Sequence, residues 1–182
     1  MEDYAIERKW YALHVRSRFE KIVDRHLRGK GYEEYLPLNR RRRQWSDRIK
    51  EIEDPLFPGY VFCKFDFTNR PPILVIPGVV SVASVGSKPQ AVPEEEIRAL
   101  QDVVQSGCPY ELWPFIKAGQ RVRVDYGPLR GVEGLVVEVS GKYRLIVSVN
   151  LLRRSVAAEI DSACVRQIPV SHSPRLITEH GT

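Results

Sequence analysis

The sequence predicts an α+β domain followed by a small five-stranded β-barrel, and three observations carry that expectation. Two amphipathic helical patterns interleave with short apolar strands over residues 1–106. A stretch holding Pro109 and Pro114 then interrupts regular structure. Beyond it, Val122 and Val124 alternate with Arg121, Arg123 and Asp125, after which Gly127-Pro128 turns the chain and Gly131 and Gly134 punctuate it. Glycine at such sites supplies positive φ or lets another backbone approach closely. The expected organisation is a first domain over 1–106, a linker over 107–117, the barrel over 118–168 and a disordered polar tail over 169–182.

Each element has a local reason. Lys9–Val15 is aromatic and β-branched and reads as a strand. Ser17-Arg18-Phe19-Glu20 has the form of a capping box, opening a helix whose face is Phe19, Ile22, Val23, His26 and Leu27, with Gly29 and Gly31 closing it. Tyr32–Leu38 reads as a second strand. The run from Arg40 to Ile52 reads as a polar hairpin with its tip near Ser46-Asp47. Pro58-Gly59 ends that excursion, and Tyr60–Phe65 returns as a strongly apolar central strand. Pro71-Pro72 suits the start of a short helix, and Val79–Val85 reads as another strand. Pro93 followed by Glu94, Glu95 and Glu96 favours a helix N-terminus, with Ile97, Leu100, Val103 and Val104 as its apolar face. Strands near 120–125, 132–139, 143–149, 155–160 and 164–168 complete the barrel, and Gly141-Lys142 marks a tight turn between two of them.

Composition excludes several classes. The 182 residues hold 43% apolar and 28% charged side chains, ordinary for a globular protein. No apolar run approaches the ~20 residues of a membrane span and no signal-peptide pattern opens the chain, so a cytoplasmic, membrane-free monomer is expected. Cys63, Cys108 and Cys164 are scattered, which argues against a disulfide framework and against structural zinc; Cys63 and Cys164 read as buried thiols. His14, His26, His172 and His180 share no motif with a nucleophile or carboxylate, and no phosphate-cradling glycine loop is present. No enzyme, metal or cofactor is expected.

Two stretches carry chemistry. Between Asn39 and Lys50 stand Arg40, Arg41, Arg42, Arg43, Arg48 and Lys50 against Asp47 alone, a surplus that equals the whole chain's net charge of +5. The run is either a solvated hairpin face or a phosphate grip with Trp45 placed to stack on a base. Leu56-Phe57-Pro58-Gly59-Tyr60-Val61-Phe62 is either a turn into a core strand or a protein-binding anchor, in which the ring of Phe57 or Tyr60 stays exposed.

Taken in order, Trp10–Val15, Leu56–Phe62, Ile76-Pro77-Gly78-Val79 and Pro93–Ile97 resemble the NusG family of transcription elongation factors. Gly119–Val137 resembles that family's KOW motif, so the likeness spans most of the chain. It implies an N-terminal NGN domain, an antiparallel sheet with packing helices, and a C-terminal SH3-like KOW barrel. It further implies that His14, Phe57, Pro58, Gly59 and Tyr60 bind RNA polymerase at the clamp helices of its largest subunit, suppressing pausing. Arg40, Arg41, Arg42, Arg43, Trp45 and Arg48 would then lie against upstream or non-template DNA. Leu151, Leu152, Arg153 and Arg154 would form the partner loop of the barrel, facing the ribosome or Rho. Leu152 stands where the general family member carries an exposed phenylalanine, and the arginine-rich excursion is similar to specialised antitermination paralogs. The expected function is thus elongation or antitermination. The alternatives are a housekeeping factor coupling transcription to Rho or the ribosome, and a KOW-containing RNA-binding or ribosome-associated protein.

Overall fold

The computed structural model describes residues 7–45, 48–117 and 119–169, with 41–43, 45 and 48–50 described as backbone and register only. The N-terminal part runs β1 (Lys9–Val15), α1 (Glu20–Gly29), β2 (Glu33–Tyr35), β3 (Leu38–Trp45), β4 (Arg48–Pro55), β5 (Tyr60–Phe65), α2 (Pro71–Leu74), β6 (Val79–Val82), β7 (Ser84–Val85), β8 (Lys88–Pro89) and α3 (Glu94–Gln105). The C-terminal part holds β9 (Tyr110–Trp113), β10 (Gln120–Val124), β11 (Glu133–Val139), β12 (Lys142–Val149), β13 (Arg154–Ile160) and β14 (Val165–Gln167).

The first sheet has the order β2-β5-β1-β6, which makes β1 and β5 its central strands. Successive side chains on a strand point to opposite faces, and here both faces are covered. Tyr11, Leu13, Val15, Val61, Cys63 and Phe65 pack with Val23 and Leu27 of α1 and Ile73 of α2. Trp10, Ala12 and Phe62 pack instead with Ile97, Leu100 and Val103 of α3. That two-sided burial explains why both central strands read as nearly continuous apolar runs.

The second sheet is six-stranded, in the order β14-β10-β11-β12-β13-β9. Its glycines do what their spacing implied. Gly127 and Gly131 adopt φ of 90° and 89°. Gly134 lies so close to β12 that a Cβ would stand 2.5 Å from the Ile146 carbonyl oxygen.

Several local expectations are corrected. The capping box does not form: Arg18 adopts φ 69° and α1 starts after Phe19 with no side-chain cap. Ile22 and His26 are exposed, and the buried side of α1 is Glu20, Val23 and Leu27. The expected strand over 32–38 divides into β2 and the start of β3, and that over 79–85 into β6 and β7, whose partner β8 follows the turn at Gly86. Cys63 is buried, whereas Cys164 is only half-buried.

The largest correction concerns the linker. Its prolines bound a strand rather than prevent one, and β9 pairs antiparallel with β13 from Trp113↔Ser155 to Tyr110↔Ala158. Unpaired backbone groups on the β13 edge favour a partner, and Tyr110, Leu112 and Trp113 give the segment strand character. The sheet therefore has six strands where five were expected. The expected hairpin tip, Ser46-Asp47, and the tail from residue 170 lie outside the described residues.

Candidate functional site

The turn between β4 and β5 is built from three directions. The Leu56 amide donates to the Pro37 carbonyl (2.8 Å), Tyr60 to Phe57 (3.1 Å), and Val15 to Gly59 (2.8 Å). Gly59 takes φ 84°, the left-handed region where a side chain is strained. Its amide donates to Oε1 of Glu20 at 2.8 Å, and Glu20 is 4% exposed. Glu20 thus ties the first turn of α1 to the turn. Sequence reading assigned this residue to a cap; its partner lies 39 positions away, and no local signal links them.

Phe57 is a core residue, 1% exposed, with its ring edge-on to Phe62 at 6.2 Å. An anchor that presents the Phe57 ring is therefore not what the turn offers. Pro58 is exposed, Gly59 and Tyr60 are half-buried, and His14 on the neighbouring strand is exposed. The register places His14 opposite Tyr60, with ring centroids 5.5 Å apart. The surface of the site is thus a His–Tyr pair beside a rigid Pro-Gly turn.

The basic hairpin is β3 paired with β4 from Leu38↔Pro55 to Trp45↔Arg48. Its register changes the charge reading. Arg40 stands opposite Glu53 and bonds to it at 3.1 Å, while Arg42 registers with Glu51 and Arg43 with Lys50. The returning strand also carries Asp54, but with Arg48 and Lys50 on the same strand its three acids leave the hairpin basic. Arg43, Trp45 and Arg48 occupy the most distal register positions, with Arg42 and then Arg41 nearer the base.

The barrel's partner loop lies against the first domain. Asn150 donates from its backbone amide to Glu96 Oε2 (3.1 Å) and from Nδ2 to Oε1 (2.6 Å). The Arg154 guanidinium sits 5.7 Å from the Tyr60 ring centroid, a cation–π contact, and Arg153 lies 5.1 Å over Phe115. Leu151 and Leu152 are half-buried against an apolar cluster that runs without a break from Phe57, Leu100 and Val103 into Leu145, Val147 and Val149. Between the two sheets lies α3, in contact with both β1 and β12. Burial raises the Glu96 carboxyl above its ordinary range, against the lowering effect of the two Asn150 hydrogen bonds and with a small raising effect from Glu95. The sequence-predicted sites at Tyr60 and at the loop are thus brought together.

Among the described residues, no group of three or more His, Cys, Asp or Glu is placed to hold a metal. The Ser148 hydroxyl pairs with that of Ser155 at 2.7 Å rather than with a base. Burial pushes the Cys63 thiol up to about 12, which keeps it protonated and unreactive. No described helix is long and apolar enough to cross a membrane.

An α+β domain whose His14–Tyr60 ring pair flanks a pinned turn, joined to a glycine-punctuated β-sheet domain, defines a protein of NGN–KOW architecture. The family model described as NusG, transcription termination factor nusG, matches residues 8–101, more than half of the chain, and the chain belongs to the NusG family. It is 25% identical over 170 residues to the transcription termination/antitermination protein NusG of Staphylococcus carnosus, covering 85% of this chain and 92% of that one. The Staphylococcus aureus protein of the same name matches to the same extent. The fold is similar to that in a structure described as "Domain interaction in Thermotoga maritima NusG", with a TM-score of 0.52 at 20% identity, over 91% of this chain and 99% of that one.

Proposed function

We propose that this transcription termination/antitermination factor acts by binding RNA polymerase through the surface formed by His14, Pro58, Gly59 and Tyr60, with Phe57 holding the turn from beneath. The observation that carries the reading is the His14–Tyr60 pair, two rings 5.5 Å apart on central strands of a rigid sheet. Aromatic groups on a pre-organised support make strong protein contacts because little ordering entropy is lost on binding. The clamp helices of the largest polymerase subunit are the proposed target. Bridging them favours the elongating form by differential binding, with no bond chemistry.

The distal arginines and Trp45 serve the displaced or upstream DNA through phosphate contacts and stacking, which carry little sequence information. The barrel loop Leu151–Arg154 recruits a further factor, the ribosome or Rho, when it is free. The hairpin favours a specialised antitermination role.

The test is single-round elongation with purified polymerase. A His14→Ala, Tyr60→Ala variant is expected to lose at least tenfold in polymerase affinity and its effect on pausing, with an unchanged thermal melt. Unaltered affinity in a folded variant refutes the assigned surface. Replacing Arg41 and Arg43 with Ser is expected to weaken binding to the elongation complex and flatten its salt dependence, with little change on bare polymerase.

A further inference from the structure

Between β1 and α1 the chain turns in a conformation that its residues do not favour. The Phe19 amide donates to the Arg16 carbonyl at 3.0 Å, which closes a turn with Ser17 and Arg18 at its centre. Arg18 takes φ 69°, while Ser17 keeps a negative φ. That is the third position of a type II turn, where glycine is preferred because a Cβ crowds the backbone. Glycine does fill such positions close by: Gly59 and Gly78, on the two Pro-Gly turns that meet this corner, take φ of 84° and 99°.

The strained corner is held from several sides. The Val15 amide donates to the Gly59 carbonyl and the Arg16 amide to the Gly78 carbonyl, both at 2.8 Å. The Phe19 ring lies against Gly78, where a Cβ would stand 2.5 Å from Cδ1 of that ring. Glu20 is the buried carboxylate that takes the Gly59 amide. The corner therefore cannot relax without disturbing both Pro-Gly turns. The fold makes no use of the Arg18 side chain, however. Arg16 and Arg18 are both exposed, and neither guanidinium has a hydrogen-bond or ion-pair partner among the described residues.

A strained residue on a rigid support, with a side chain idle in the fold, has its use outside the chain. Its place decides what it meets. Arg16 directly follows β1, two positions beyond His14. The same corner is hydrogen-bonded to Gly59, beside Tyr60. We infer that Arg16 and Arg18 form a basic margin of the polymerase surface, where Arg18 is set by its left-handed backbone to meet a carboxylate of the polymerase next to the His14–Tyr60 contact. The inference rests on the reading that His14 and Tyr60 bind polymerase. A guanidinium pairs a carboxylate through two parallel hydrogen bonds, and cations at the rim of a contact fix its orientation and speed encounter. Continuity with the His14–Tyr60 face favours protein carboxylates over DNA phosphates as the partner.

The experiment uses the full chain and Arg18→Gly, which should move stability and binding in opposite directions. Glycine relieves the strain at φ 69°, so the denaturant midpoint is expected at or above that of wild type. Binding to core RNA polymerase, free of nucleic acid, is expected to weaken by about fivefold or more at low salt, and its salt dependence to flatten. Arg18→Ala keeps the Cβ and removes the charge, so it should bind as weakly as Arg18→Gly. Arg16→Gln added to Arg18→Gly should weaken binding further.

Unchanged affinity of Arg18→Gly overturns the inference. A midpoint below that of wild type also overturns it, since the side chain would then belong to the fold. If Arg18→Ala binds like wild type, the loss in Arg18→Gly comes from chain freedom, and the inference falls. A loss on the elongation complex with none on core polymerase assigns the pair to DNA phosphates and overturns it as well. A wild type that fails to bind core polymerase, or a folded His14→Ala, Tyr60→Ala variant that binds it fully, refutes the proposed function instead.

Discussion

The Leu56–Tyr60 turn and the Asn150–Arg154 loop face each other, but they are held in different ways. The turn is a product of the core: Leu56 and Phe57 lie beneath it, and the buried Glu20 grips its glycine amide. The loop is held mainly by what it docks on, through Asn150 on Glu96 and Arg154 on Tyr60, with Arg153 at φ 50° on its outer side. One region loses its shape only if the domain unfolds. The other can lose its partner and leave the fold intact. A surface that must meet a large partner without reorganising suits the first construction, and a surface that changes partners suits the second.

The largest effect that separates them is expected from Phe57→Ala. Emptying a fully buried aromatic site costs about 3–5 kcal/mol, so a denaturant melt should show marked loss of stability. Leu152→Ala in the half-buried loop should leave the melt nearly unchanged. Comparable losses would mean that the loop is as much core as the turn. Next comes Glu20→Ala, which strands the Gly59 amide. A buried donor left without a partner costs about 1–3 kcal/mol, and Glu20→Gln, which keeps an acceptor, should recover most of it. If both variants melt alike, the hydrogen bond does not hold the turn.

The smallest effect is on the loop side. In the folded chain, burial raises the Glu96 carboxyl above its ordinary 4.5 despite the lowering effect of the two Asn150 hydrogen bonds, so the folded protein binds a proton there more readily than the unfolded one. That contribution to stability is fully present below the ordinary value and is lost as pH rises through the raised one. Denaturant melts taken across that window should show a small fall in stability. Glu96→Gln should flatten the response.

Much of the fold was legible in the sequence because its signals are short-ranged. Apolar runs gave the central strands of the first sheet, alternation gave β10, helical spacing gave α3, and Gly127 and Gly131 marked a turn that needs positive φ. The site was legible in part. His14 and Tyr60 were singled out by motif, but which of Phe57 and Tyr60 turned outward depended on Phe62 and α3 packing over the first ring. The arginine surplus was real in sequence order, yet it is diluted in space because the returning strand brings Glu51 and Glu53 into register. Such pairing follows from the hairpin's fold-back, and a window moving along the chain does not see it.

By itself, then, the sequence determined most of the element order, since periodicity, turn chemistry and composition are properties of neighbours, and its resemblance to the NusG family marked the motif residues. Tertiary structure decided what those residues meet. It turned an expected linker into β9, because an open β13 edge takes an apolar segment even between two prolines. It also sent Glu20 to Gly59 and Asn150 to Glu96, partners separated by 39 and 54 positions. Contacts at that range depend on where whole elements pack, and that is settled by the burial of the shared core.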